Sequence, residues 1–232
     1  MDTMMVKLGL LAVLALGAVL GLTMATSTPD PASTAKPSEP TPPGMQELVI
    51  GGGCFWCVEA IFEDLKGVTS VESGYAGGSQ PNPTYEMVGR GDSGHAEVVK
   101  IVFDPKVVSE GDLLRIFFTT HDPTQLNRQG NDYGTQYRSV IFYANETERK
   151  LAEKIRQEVI DAKIWPRKIV TTIEPLRNYA KAEDYHQDYF EKFEKGDVVV
   201  RSKMNSGYCS AVIEPKVRKF REKYRDKLKK GG

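Results

Sequence analysis

The chain has 232 residues, 40% of them hydrophobic and 27% charged, which is enough for one substantial core. Its 31 basic and 31 acidic residues cancel, so the overall charge points neither to nucleic acid nor to an acidic partner. Three cysteines are too few for a disulfide framework and one short of an all-cysteine zinc site, which leaves redox chemistry as their natural use, with no metal called for.

Residues 8–25 are continuously apolar or small, with Lys7 before them and Thr26, Ser27 and Thr28 after. The run lies between a signal-peptide core and a membrane-spanning helix in length, and Thr23-Met24-Ala25 offers small residues for a signal peptidase. Residues 1–25 are expected to be a signal peptide or N-terminal membrane anchor, which places the protein outside the cytoplasm, in a periplasmic or extracytoplasmic space. Residues 26–44 carry Pro29, Pro31, Pro37, Pro40, Pro42 and Pro43 among Ser, Thr and Ala without apolar periodicity, and read as a disordered linker. The catalytic domain is expected over 45–215.

Strand-like and helix-like segments then alternate. The apolar run Leu48, Val49, Ile50 predicts a strand at 47–50, a glycine turn follows, and a helix is expected from Cys54 to about Leu65. Residues 68–75 read as extended, and 96–103 alternate as a strand that Pro105 ends. Ser109 suits an N-cap for a helix at 112–120 with Leu113, Leu114, Ile116 and Phe117 on its apolar face. A strand at 139–143, a helix at 147–163, a strand at 169–173 and a helix at 182–193 complete the order. This predicts a mixed sheet with packed helices, of the α+β or α/β class. The long Gly-, Asn- and Tyr-rich loops at 77–95 and 122–138 are candidates for the walls of a site. Residues 216–232 are markedly basic, with Val217, Phe220, Tyr224 and Leu228 at helical spacing, and read as a solvated amphipathic helix or tail.

The stretch at 51–60, Gly-Gly-Gly-Cys-Phe-Trp-Cys-Val-Glu-Ala, is the candidate active site. Its glycines permit positive φ and close approach, and deliver Cys54 to a helix N-terminus. Unsatisfied N–H groups and the positive end of the helix dipole there favour thiolate, so a lowered Cys54 pKa is expected. Cys57 lies three residues on, with β-carbons about 5 to 6 Å apart on one helix face. A lone Cys-x-x-Cys serves a dithiol oxidoreductase, half of a zinc site or two packed thiols, and a thioredoxin-like carrier of protein disulfides or a membrane-tethered binding module stays open at this point.

Gly-Cys-Phe-Trp-Cys at 53–57, Gly-His-Ala-Glu at 94–97, Gly-Asn-Asp-Tyr-Gly-Thr-Gln-Tyr-Arg-Ser at 130–139 and Ala-Glu-Asp-Tyr-His-Gln-Asp-Tyr at 182–189 resemble, in that order, the peptide methionine sulfoxide reductases of the A type. A His-Asp-Pro-Thr-Gln run from His121 fits the same resemblance, which extends from about Glu47 to Cys209. It implies a ferredoxin-like split βαβ core and a monomer that reduces the S epimer of methionine sulfoxide, free or in proteins. No bound cofactor is implied, and thioredoxin, or dithiothreitol in vitro, supplies the electrons.

Sulfoxide reduction asks for a thiolate on sulfur and an acid on the departing oxygen. Cys54 suits the first task. Glu97 suits the second if an apolar pocket keeps it protonated, and the resemblance places Glu97 at the acidic position. The resemblance also implies that the Tyr85 and Tyr137 hydroxyls hold the oxygen and that Asp132 lines the site. Phe55 and Trp56 would receive the S-methyl group by burial and sulfur contact. Cys54 would be left as a sulfenic acid, which condenses with a thiol. Cys57, by helical proximity, and Cys209, in a Gly-Tyr-Cys that resembles the C-terminal cysteine of many members, are the resolving candidates.

Overall fold

The computed structural model describes residues 40–196 and 198–229; the leader expected at 1–25 and most of the linker lie outside the described residues. In chain order, Gln46–Gly52 forms β1, Phe55–Glu63 α1, Val68–Ala76 β2, Tyr85–Gly89 α2, Ala96–Phe103 β3 and Glu110–Thr120 α3. Two-residue strands Arg128–Gln129 (β4) and Asp132–Tyr133 (β5) make a small hairpin, followed by Ser139–Tyr143 (β6), Glu146–Asp161 (α4), Thr172–Pro175 (β7) and Ala180–Lys181 (β8). Tyr189–Lys195 (α5), Val198–Ser202 (α6), Ser206–Tyr208 (α7) and Glu214–Lys223 (α8) finish the chain.

The sheet runs β7-β6-β1-β3-β2-β8. Its inner four strands, β6-β1-β3-β2, are all antiparallel, and the order β1-α1-β2-β3-α3-β6 is that of a split βαβ core. β7 pairs parallel with β6 at one edge and β8 antiparallel with β2 at the other, which makes the sheet mixed and the class α+β.

The period-two alternation of the strands decides which core each side chain enters. Leu48, Ile50, Val99, Ile101 and Ile141 join the main core with Phe62 of α1, Phe117 of α3 and Ile155 of α4. Val49, Val98, Val140 and Phe142 form a smaller cluster with Leu176 and Tyr179 packed against it. Burying sheet residues on both faces explains the consecutive apolar residues Leu48, Val49 and Ile50 of β1 and Ile101, Val102 and Phe103 of β3, with Glu97 and Lys100 as buried polar exceptions. Helix starts follow their caps: Ser109 Oγ accepts from Asp112 N–H at 3.1 Å, and Asn145 Oδ1 accepts from Thr147 and Glu148 N–H.

Three expectations are corrected. The helix expected over 182–193 is broken: a 3₁₀ turn at Asp184–His186 leads to Asp188 at φ +50°, and only then does α5 begin. The break follows from Gln187, whose side-chain amide turns inward to pair with both backbone groups of Ser73 on β2. The strand expected at 169–173 lies later, at Thr172–Pro175. The basic stretch forms the amphipathic helix expected of it, but that helix is packed on the domain and not solvated beyond residue 215. Val217 and Phe220 of α8 are buried in the main core, and Leu228 bridges to Leu65. Arg221 binds Asp64 Oδ2 at 2.7 Å and Glu194 Oε1 at 2.7 Å, so the fold continues to Leu228. Among the described residues, no helix is long and apolar enough to cross a membrane.

Candidate active site

The site is built where β1 leaves the sheet. At Gly51 a Cβ would stand 2.7 Å from the Glu97 carbonyl oxygen, so only glycine lets β1 come this close to β3. Gly53 then takes φ +98°, a conformation that turns the chain from strand to helix in one step. Cys54 becomes the N-cap of α1, with φ −55° and ψ 125°.

From β3, Glu97 reaches across to this turn. Its Oε2 accepts the Phe55 backbone N–H at 3.1 Å, one residue from the Cys54 thiol. The side chain is 2% exposed, and burial pushes its pKa up to about 8, with the Asp132 and Cys57 charges acting in the same direction and the Phe55 N–H against it. Glu97 is therefore mostly protonated at neutral pH. The Tyr85 hydroxyl, on α2, is pushed up to about 12 by burial and then by Glu97 and Cys54. The Tyr137 hydroxyl, in the 3₁₀ turn Thr135–Tyr137, is raised by burial and by Glu97, Tyr85 and Cys54. Both phenols stay hydrogen-bond donors at any working pH.

The thiols depart from expectation. Cys54 is 7% exposed, and burial, reinforced by the Cys57 thiol and the Glu97 charge, raises its pKa well above the ordinary thiol value. The helix N-terminus does not offset this, because Glu97 occupies the Phe55 N–H and the Cys57 N–H is spent on the Cys54 carbonyl at 3.1 Å. Cys57 is instead brought down to about 7 by the hydrogen bond from Cys54, helped by Lys216 and Tyr208 and opposed by burial. Cys57 is thus the more readily ionised thiol of the pair.

Cys209 opens a π-helical turn at Cys209–Ile213 and is 0% exposed; burial and then the Cys57 charge push its pKa up to about 11. All three cysteines are free. Phe55 is buried, and Trp56 stacks on Tyr189 with ring centroids 3.8 Å apart and planes 7° from parallel. Asp132 Oδ2 accepts the Tyr208 hydroxyl at 2.7 Å, and that hydroxyl also reaches the Cys54 and Cys57 thiols. Cys54, Cys57, Glu97, Tyr85, Tyr137 and Asp132 are thus electrostatic neighbours, and Tyr208 joins this group.

Of the histidines, His95 Nε2 donates to the Gln80 carbonyl at 2.9 Å. His121 Nδ1 donates to the Phe117 carbonyl and its Nε2 accepts from Ser139 Oγ, each at 2.7 Å. Burial holds His121 down to about 4, so it stays neutral. Among the described residues, no group of three or more His, Cys, Asp or Glu is arranged to hold a metal ion.

Sequence reasoning missed Tyr208, Glu183 and His186 as site residues. Glu183 Oε1 accepts the Tyr85 N–H at 2.9 Å and its Oε2 accepts the Tyr75 hydroxyl at 2.8 Å, while His186 Nδ1 accepts the Trp56 indole N–H at 3.1 Å. The signal was present: Glu183 and His186 stand in the 182–189 block, and Tyr208 in the Gly-Tyr-Cys.

Residues 46–228 match the family model described as peptide methionine sulfoxide reductase. Over 183 residues the chain is 51% identical to the peptide methionine sulfoxide reductase MsrA of Polynucleobacter asymbioticus, covering 79% of this chain and 91% of that one. It is also similar to the reduced form of Mxr1 from Saccharomyces cerevisiae, at 34% identity and a TM-score of 0.61, over 68% of this chain and 92% of that one. Methionine sulfoxide reductase A of Corynebacterium diphtheriae is similar at 38% identity and a TM-score of 0.59, over 67% of this chain and 78% of that one.

Proposed function

The chain belongs to the peptide methionine sulfoxide reductase family and is an oxidoreductase that returns methionine sulfoxide to methionine; we propose that Cys54 attacks the sulfoxide sulfur while Glu97 protonates its oxygen. The observation that carries this reading is the 3.1 Å bond from Phe55 N–H to Glu97 Oε2, which seats a largely protonated carboxyl beside the nucleophile. The Tyr85 and Tyr137 hydroxyls donate to the same oxygen as it gains charge, in a pocket where such bonds count for more than in water. Phe55 and Trp56 enclose the S-methyl group.

As Cys54 bonds to sulfur, its thiol proton passes to the Cys57 thiolate, to which it is already hydrogen-bonded. The sulfur–oxygen bond breaks and the released oxygen, as water losing a proton, attacks the Cys54 sulfur; the bond between Cys54 and the methionine sulfur breaks in turn, methionine departs with that electron pair, and Cys54 is left as sulfenic acid. Cys57 then displaces that oxygen as water and forms the Cys54–Cys57 disulfide. Cys209 attacks Cys57 in turn, freeing Cys54 and moving the disulfide toward an external dithiol, for which a thioredoxin-like protein is the natural class. A carrier of protein disulfides could use the same Cys-x-x-Cys turn, but Glu97, Tyr85 and Tyr137 around the thiol would have no task in it.

The substrates are proteins containing methionine sulfoxide, and the free amino acid, in the S configuration. The apolar run at 8–25 supports export, with the enzyme released or tethered as a monomer outside the cytoplasm. The test is turnover of resolved epimers with dithiothreitol. Reduction of the S and not the R epimer, lost in Cys54→Ser, is expected; turnover persisting in Cys54→Ser would overturn the assignment.

A further inference from the structure

The segment that follows β8 does more than close the sheet. His186, at the end of the 3₁₀ turn Asp184–His186, is 1% exposed and lies behind the pocket wall. Its ring centroid is 4.9 Å from that of Phe55, 4.5 Å from Tyr85 and 5.5 Å from Trp56. One ring nitrogen, Nδ1, faces the Trp56 indole Nε1 at 3.1 Å. Because indole N–H can only donate, Nδ1 must accept, and the imidazole proton is therefore on Nε2. Among the described residues that Nε2 meets Glu183 Oε2 at 3.8 Å and makes no hydrogen bond.

We propose that His186 is a positioning residue that accepts the Trp56 indole N–H and so fixes the wall receiving the S-methyl group of the substrate. This rests on the reading of Phe55 and Trp56 as the methyl-binding wall.

Trp56 needs such a restraint. Stacking on Tyr189 sets the plane of the indole, and stacked aromatic pairs tolerate lateral offset. Tyr208 meets it edge-on at 6.0 Å between centroids, a contact that is equally tolerant of sliding. The bond to Nδ1 is the directional one, and it sets where the indole edge ends. Burial also keeps the imidazole neutral, with its pKa lowered to about 4 against the pull of Glu183. A protonated ring would present Nδ1–H to the indole N–H and lose the bond, so neutrality and anchoring belong together.

The unaltered protein provides the first test. ¹⁵N NMR is expected to show His186 with Nδ1 unprotonated and coupled through the hydrogen bond to the Trp56 indole nitrogen; a protonated Nδ1 would overturn the proposal. His186→Phe keeps a ring and removes the acceptor, and is expected to raise KM for a methyl sulfoxide roughly tenfold, with kcat within about threefold of the parent. It is also expected to narrow the preference for methyl over ethyl sulfoxides. His186→Asn places Oδ1 where Nδ1 stood and is expected to recover most of the loss. Unchanged KM in His186→Phe, or His186→Asn as impaired as His186→Phe, would overturn the positioning role. A Trp56→Leu variant with unchanged KM would remove the methyl-wall reading itself, and is told apart because the Trp56–His186 coupling would still be seen in the unaltered protein.

Discussion

The Tyr208 hydroxyl donates to Asp132 Oδ2 at 2.7 Å, and the residue after Tyr208 is Cys209. The contact joins the hairpin that carries Asp132 to the segment that carries the third cysteine. Asn205 tightens that segment, accepting Tyr208 N–H on Oδ1 and Cys209 N–H on its carbonyl, while its own N–H donates to the Tyr189 hydroxyl. The wall behind Trp56 and the backbone of Cys209 are therefore tied through Tyr189. Tyr208→Phe keeps the ring and removes this tie together with the hydroxyl beside both sulfurs. Because that hydroxyl acts to lower both thiol pKa values, alkylation of Cys57 by iodoacetamide is expected to need higher pH in the variant. An unchanged alkylation profile would show that Tyr208 does not act on the thiols.

Glu97→Gln removes the acid while keeping the acceptor for Phe55 N–H. Single-turnover sulfoxide reduction is expected to fall by on the order of 10²-fold. In the parent the acid form predominates below the Glu97 pKa of about 8, so reduction should decline as pH rises through that value. Glu97→Gln should lack this limb. Rapid-quench rates across pH 6 to 9.5 provide the check.

Stability carries the same signature. A carboxyl whose pKa is raised on folding, here by burial, contributes fully at low pH and loses its contribution as pH climbs from the ordinary carboxylate range to about 8. Glu59, at about 7 through burial, acts in the same direction. Thermal unfolding of the parent should therefore weaken between pH 5 and 9 more than that of Glu97→Gln, by a difference of a few kcal/mol, roughly 1.4 kcal/mol for each pKa unit involved. Parallel curves would mean that Glu97 ionises in the folded protein as readily as in the unfolded chain.

The relay gives separable variants. Cys209→Ser should perform one turnover and continue with dithiothreitol, but lose recycling by thioredoxin. Non-reducing peptide mapping after one equivalent of substrate should then find Cys54 joined to Cys57. Normal thioredoxin-supported turnover in Cys209→Ser would leave Cys57 as the sole resolving thiol.

The basic C-terminal helix is part of the fold. Phe220 is 4% exposed in the main core, and Phe220→Ala should cost about 3 to 5 kcal/mol, measured by urea unfolding. A loss below about 1 kcal/mol would instead fit the solvated helix that its charge suggests.

Much of this architecture was legible because it depends on local pattern. The alternation in Ala96–Phe103, the Ser109 cap and the triple glycine before Cys54 each state their own structure, and the residues brought together around Cys54 come from four sequence blocks that resemble one family in order. What stayed hidden depends on tertiary context. Helical spacing in 182–193 could not reveal that Gln187 would turn inward to Ser73 and break the helix. The basic character of α8 concealed that Asp64 and Glu194 await Arg221 on the domain surface. The helix-dipole argument for a low Cys54 pKa failed because it counted N–H groups without knowing that Glu97 takes one and that burial acts on the thiol itself. His186 and Tyr208 act through partners 130 and 76 residues away in sequence, which no local pattern encodes.

The most direct test of the account uses the double variant Cys57→Ser, Cys209→Ser, mixed with one equivalent of S-configured methionine sulfoxide and no reductant. With both resolving thiols gone, the sulfenic acid has no partner within the chain. One methionine should appear per protein, and the peptide containing Cys54 should gain the mass of one oxygen atom or, when dimedone is present, a dimedone thioether formed as that oxygen leaves in water. Methionine formed without oxygen on Cys54, or oxygen found on another residue, would contradict attack by Cys54 on the sulfoxide.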